Sequence, residues 1–188
     1  MFDIGSLRRN RRQRYGAGAM VVAVVLGGVL AVDAAQAQDK QGVCYITTKT
    51  GYPGDQAPAG DIAKWMGAGA RAAGLPAELP VMAGLVESGL RNLSTSDSDA
   101  VGFFGMRLGI WNRGEYLGYA TTPELQLKWF IDYAIMFKQQ RFAAGVTNLL
   151  DDPNSWGDWV ADIDRAPEQL RGRYQLRLEE ARQLLAAK

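Results

Sequence analysis

From residue 61 onward, apolar positions recur at spacings of three and four along most of the chain, the period of one helix face. Asp61 can cap a helix running to about Gly74, with Ile62, Trp65 and Met66 on one side. A second predicted helix covers Pro80 to Ser88 and ends near Gly89; its apolar positions are Val81, Met82, Leu85 and Val86. The period then fails over residues 91–120, where Ser, Thr, Asp, Gly and aromatic residues predict a functional loop region. A small β element is expected within it, near Gly102–Met106. Thr122-Pro123-Glu124 reads as a helix start: a cap, Pro at the first position and an acid in the first turn. That helix should reach about Ala144, stop at Gly145, and present Leu125, Trp129, Ile131, Tyr133, Met136 and Phe137 on a wide apolar face. Asp152-Pro153 opens another helix, carrying Trp156, Trp159 and Val160. A last one is expected from Pro167 to Ala187, with Leu170, Tyr174, Leu178 and Ala181 in register. The pattern predicts one mainly α domain over residues 61–188. A turn-rich segment, 38–60, precedes it, with a possible strand at Val43–Thr48.

The first 37 residues read differently. Arg8, Arg9, Arg11, Arg12 and Arg14 form a basic cluster, Gly16–Val32 is an apolar run of 17 residues, and Ala35-Gln36-Ala37 is a small-x-small site. This is the pattern of a secretory signal peptide cut before Gln38. The alternative is an uncleaved anchor, for which the run is slightly short. Paired arginines also allow twin-arginine export, with the general secretory route as the default. The membrane is then met only in transit, and the protein is expected in the periplasm or outside the cell. Removing the signal takes 5 of 21 basic and 2 of 20 acidic residues, leaving 16 and 18, net −2 over 151 residues. Such a chain carries no electrostatic footprint for nucleic acid.

Residue types narrow the chemistry further. The chain has no His and one Cys. Nucleophile systems built on His are excluded, and a zinc or iron site would have to be made from carboxylates. Cys44 has no intrachain disulfide partner, and its apolar neighbours Val43, Tyr45 and Ile46 favour burial. Metal-free carboxylate chemistry gains by elimination, and no metal or organic cofactor is expected.

One carboxylate stands out. Glu87 closes the apolar helix, with the small Ala83 and Gly84 one turn back expected to leave room beside the carboxyl for a bulky substrate. The negative end of the helix dipole and partial burial both favour a protonated acid there. Glycosidic bond cleavage needs such an acid to protonate the leaving oxygen. A solvated surface Glu is the plainer reading of this residue alone. Its context argues otherwise. Glu87-Ser88-Gly89-Leu90-Arg91-Asn92, followed by Gly102-Phe103-Phe104-Gly105-Met106, resembles the E-S-G-x-x-N … G-L-x-Q-M signature of the soluble lytic transglycosylase and goose-type lysozyme group. The resemblance spans about Asp61 to Ala144 and is strong only for Glu87–Trp111. It departs from the pattern at Gly105, where the family has a Gln lining the saccharide cleft, and no A-Y-N-x-G motif is present.

The resemblance implies a lysozyme-like domain that cuts peptidoglycan between N-acetylmuramic acid and N-acetylglucosamine, with Glu87 as the single acid and base. Ser88 would lie beside the acid and contact sugar, Gly89 would end the helix in a left-handed conformation, and Asn92 would brace the loop or meet substrate. Asp97 and Asp99 are weaker candidates for substrate contact, against the alternative of loop turns. Phe103, Phe104, Trp111, Tyr116 and Tyr119 could give flat faces to sugar rings, with core packing as the alternative and at least Phe103 or Phe104 expected inside. Met106 completes the turn at the cleft. Two other functions stay open: a muramidase using water, and a non-catalytic peptidoglycan-binding or assembly protein, which the missing Gln favours and the retained Glu87 opposes.

Overall fold

The computed structural model describes residues 51–94 and 99–187. The signal segment 1–37, the strand at 43–48, Cys44 and Asp97 lie outside the described residues. The helices are α1 (Ala59–Ala72), α2 (Glu78–Glu87), α3 (Leu108–Trp111), α4 (Pro123–Ala143), α5 (Trp156–Ile163), α6 (Gly172–Gln175) and α7 (Leu178–Ala186). The strands are β1 (Ala100–Val101) and β2 (Met106–Arg107). The chain is mainly α, as the periodicity predicts, with a minimal hairpin. Among the described residues no helix is long and apolar enough to cross a membrane.

The position of α2 explains the site. Leu79, Pro80, Val81, Met82, Ala83 and Gly84 are all buried, so α2 is covered on every side rather than on one face. It packs against α1, α5, α6 and α7. Small residues permit close approach: a Cβ added at Gly67 of α1 would lie 2.6 Å from Leu185 of α7, and one at Gly69 would lie 2.8 Å from Leu127 of α4. Gly84 has the same role. A Cβ there would lie 2.8 Å from Leu90, so its smallness makes room for a core leucine and not for a substrate. The helix ends as expected at Gly89, with φ +65°, but Leu90 follows at φ +58°. A leucine held in the left-handed region is strained by about 1–2 kcal/mol. Its complete packing in the core offsets that.

The hairpin pairs Ala100 with Arg107 and Val101 with Met106, antiparallel. Residues 102–105 form its turn, where the β element was expected. Helix α4 begins at Pro123 as expected, although the Thr122 side chain makes no capping bond. At its other end Gly145 has φ +89°, and the Val146 N–H donates to the Arg141 carbonyl (3.0 Å), closing the helix in a Schellman-like turn.

The C-terminal segment departs from the predicted single helix. It is divided into a 3₁₀ turn (Glu168–Leu170), α6 and α7. The reason lies in α5. Gln175 Oε1 accepts from the Gly157 N–H (2.7 Å), and Gln175 Nε2 donates to the Pro153 carbonyl (3.0 Å). Arg171 donates to the Asp158 carbonyl (3.1 Å) and pairs with Asp162 (2.7 Å). These polar ties fold the segment onto α5. Leu170, in register with Tyr174 in the predicted helix, is exposed, and Tyr174 is turned inward.

Candidate active site

The buried α2 delivers Glu87 to a junction of three elements. Its Oε1 accepts from the Tyr174 hydroxyl (2.7 Å) and from Arg173 (3.2 Å), both on α6. Its Oε2 carries no hydrogen bond among the described residues and faces the hairpin turn, 3.5 Å from where a Gly105 Cβ would stand. The Glu87 side chain is 23% exposed. One oxygen is therefore fixed and the other is accessible. That is the arrangement a proton donor needs, since geometry precedes acidity in such a role. Tyr174 is buried, and burial together with Asp164 and Glu87 nearby raises its hydroxyl pKa well beyond the ordinary value, so it acts as a neutral donor.

A second carboxyl lies within electrostatic reach of the first. Asp164 follows α5 directly, and both of its oxygens are sealed from solvent without a hydrogen-bond partner among the described residues. Burial, then the charge of Glu87, raise its pKa well above the ordinary carboxylate value; Arg173 and Tyr174 oppose this without reversing it. It lines a cavity of about 160 Å³ with Phe104, Gly105, Trp111, Trp129 and Arg165 among its walls. The Trp129 indole N–H, on the same wall, also has no partner among the described residues. The sequence reading did not single out Asp164, although Val160 four residues earlier places it on the buried stripe of α5.

Asp164 has a consequence for stability. The folded chain favours its protonated form, so its contribution is full below the unfolded carboxylate range, near pH ~3.9. That contribution is lost as pH rises toward the folded value. Asp164→Asn should therefore raise the melting temperature at pH 7, and the gain should vanish near pH 4. Melts at the two pH values check this; no gain at pH 7 would contradict it.

Gln126 of α4 organises the rest and was also missed. It is fully buried. Its Oε1 accepts from the Phe103 N–H (2.9 Å), and its Nε2 donates to Asn92 Oδ1 (3.0 Å) and the Tyr119 carbonyl (3.1 Å). Gly102, at φ +79°, lies so close over the Gln126 amide that any Cβ would collide with it. Ser88 joins the same frame. Its hydroxyl is shared between the carbonyls of Gly84 (3.0 Å) and Phe103 (2.9 Å) and accepts from the Arg91 N–H (3.3 Å). Ser88 is buried, so it ties the end of α2 to the turn and has no hydroxyl left for sugar.

The other residues singled out in the sequence fall into two groups. Phe103, Phe104, Met106, Tyr116 and Tyr119 are core residues, not sugar platforms. Phe104 stacks on Phe130 at 4.9 Å, Tyr116 donates to Asp132 (2.8 Å), and Tyr119 donates to the Met106 carbonyl (2.6 Å). Burial raises the Tyr119 pKa to about 12, with a smaller contribution from Asp99. A mixture was expected for the five aromatics, with at least one phenylalanine inside; both phenylalanines are inside because the turn folds back onto α1 and α4. Trp111 is only partly buried and meets Trp129, Tyr133 and Arg165. The second group faces solvent. Asp99 pairs with Arg107 across the hairpin (2.9 Å). Asn92 donates to Asp55 (2.9 Å), which also accepts from Tyr52 (2.6 Å). Tyr52, Asp55 and Asn92, together with Leu93, Ser94, Thr121 and Pro123, line an open groove of about 410 Å³.

Among the described residues no group of three His, Cys, Asp or Glu side chains is placed to hold a metal ion. Comparisons with protein-family models, with curated proteins and with solved structures find no match for this chain.

Proposed function

We propose that this chain is an exported peptidoglycan lytic transglycosylase on a lysozyme-like domain, with Glu87 as its single acid and base. The observation that carries this reading is the Glu87 carboxyl itself. It stands at the end of a fully packed helix, with Oε1 held by Tyr174 and Arg173 and Oε2 free beside Gly105. Glu87 protonates the oxygen bridging the two sugars. The same carboxylate then accepts the proton of the muramic acid hydroxyl as that hydroxyl attacks, closing a 1,6-anhydro ring. Asp99 is engaged by Arg107 and is poorly suited to activate a water. A tethered hydroxyl needs little activation, since well-oriented intramolecular groups reach effective molarities of about 10⁵–10⁸ M.

Gly105 and Arg173 favour a second reading, a wall-binding protein without turnover. The turn lacks the cleft Gln, and an ion pair occupies one carboxylate oxygen. Clearing of a suspension of purified sacculi separates the two. The enzyme reading expects clearing by the exported protein; binding without clearing would support the second.

A further inference from the structure

Arg173 is only partly engaged by Glu87. Among the described residues its Nη2 alone is hydrogen-bonded, to Glu87 Oε1 at 3.2 Å. A guanidinium carries five N–H donors in a planar fork that fits a carboxylate with two parallel bonds. The Arg173 side chain is also 41% exposed. It lines an open groove of about 480 Å³ with Val86, Leu176 and Arg177. That volume lies within the roughly 300–1,000 Å³ of small-ligand sites. Val86 precedes Glu87 on α2, so the groove begins beside the acid. Arg177, directly before α7, is half-exposed and pairs with the equally exposed Glu180 (2.7 Å). Such surface pairs contribute little, so Arg177 is open to a second anion. Leu176 stands between the two arginines in sequence and is 82% exposed. The groove offers two cations and an apolar side chain to a ligand, and the mechanism above asks nothing of Leu176 or Arg177.

We propose that Arg173 and Arg177 form a subsite for a carboxylate borne on a side branch of the glycan, and that Arg173 reaches it by exchanging Glu87 for that carboxylate. The inference rests on the glycan-cleaving reading of Glu87 and adds the chemistry by which the substrate is chosen. Muramic acid supplies such a carboxylate in two ways: from its own lactyl group, or from the peptide attached to it. The exchange is like for like, because Arg173 already holds a carboxylate oxygen. The new pair is two-pronged where the old one is single, and two-pronged pairs are the stronger and more directional kind. Glu87 Oε1 keeps the Tyr174 hydroxyl (2.7 Å) when Arg173 leaves, so the carboxyl stays in place while it loses its cation. Leu176 gives the methyl groups of the branch an apolar surface. A neutral glycan offers Arg173 nothing in exchange, so the ion pair with Glu87 persists and cleavage is slow. Arg173 is thus a specificity-determining residue that selects acidic glycans over neutral ones of the same backbone. The ion pair that favours a wall-binding protein without turnover is, in this scheme, the resting state of the enzyme.

Two preparations of wall glycan test this with the exported protein: strands that keep their peptides, and strands stripped of them so that each branch ends in a lactyl carboxylate. Each is offered with its carboxylates free and with them converted to methylamides. On at least one preparation the wild type should cleave the free form with a kcat/KM roughly 10–10²-fold above the methylamide, the range a hydrogen bond to a charged group supplies. A preference on the stripped strands assigns the groove to the lactyl carboxylate, and one seen only with peptides assigns it to the peptide; either supports the proposal. Arg173→Gln should lose the preference and cut the methylamide no more slowly than the wild type. Arg173→Lys, which keeps the charge without the fork, should retain part of it, and serves if the Gln variant does not fold. Arg177→Gln should show a smaller loss, in KM. A merely structural Arg173 would lower all the rates by one factor, and that result would overturn the proposal, as would a wild type indifferent to the methylamide. If no strand is cut, the glycan-cleaving reading fails by itself. Dissociation constants for the same four samples then decide the groove: a carboxylate preference lost in Arg173→Gln keeps it, and equal values remove it.

Discussion

Glu87→Gln should fold like the parent and lose roughly 10²–10⁴-fold in the rate of sacculus clearing, the range general acid–base catalysis contributes. The substitution suits this site. The Gln amide oxygen can take the place of Oε1 and accept from Tyr174 and Arg173, whose donors stand 2.7 and 3.2 Å away. Its NH₂ then faces Gly105, where the unbonded Oε2 was. Packing at the end of α2 is preserved and the transferable proton is lost. A melting temperature near that of the wild type, with the rate collapsed, is the expected pair of results. A folded variant that clears at the wild-type rate would remove Glu87 from the chemistry.

Gln126→Ala should have the largest effect on stability, although Gln126 touches no candidate catalytic atom. The substitution leaves the Phe103 N–H, the Tyr119 carbonyl and Asn92 Oδ1 without their partner. The two buried backbone groups so stranded cost about 1–3 kcal/mol each, and the void adds to it. A loss of at least about 3 kcal/mol is expected, or ~10 °C in melting temperature for a domain of this size. The turn carrying Gly105 hangs on the Phe103 bond, so clearing should slow as well. A chemical denaturation midpoint close to that of the wild type would show that the Gln126 bonds do not hold the turn.

The helices were legible where one side of the chain alone decides them. Pro76, the run from Val81 to Val86 and Gly89 bracket α2, and Pro123 and Gly145 bracket α4 within a residue or two of its observed ends. The hairpin was legible as a Gly-aromatic turn. The C-terminal break was not, because its cause is distant: Gln175 satisfies a backbone N–H of α5, and the apolar period from Leu170 to Ala181 carries no sign of that bond. The same limit applied to the site. Glu87 was visible by its place at a helix end. Tyr174 was read as a core residue by its spacing, and its hydroxyl's partner lies 87 positions away. Gln126 was overlooked because a polar residue inside an apolar stripe usually reads as an interruption. Here its partners are backbone and loop groups brought in by the fold. Phe103 and Phe104 were placed in the cleft by the motif and in the core by α1 and α4, and packing prevailed.

The measurement that bears most directly on the central claim is the mass of the fragments released from purified sacculi. An intramolecular attack assisted by Glu87 should yield muramoyl ends in the 1,6-anhydro form, one water lighter than hydrolytic products, and Glu87→Gln should yield none. Fragments ending in reducing muramic acid would contradict the transglycosylase account and establish a water-using muramidase. An intact wall after incubation with folded wild-type protein would contradict cleavage altogether.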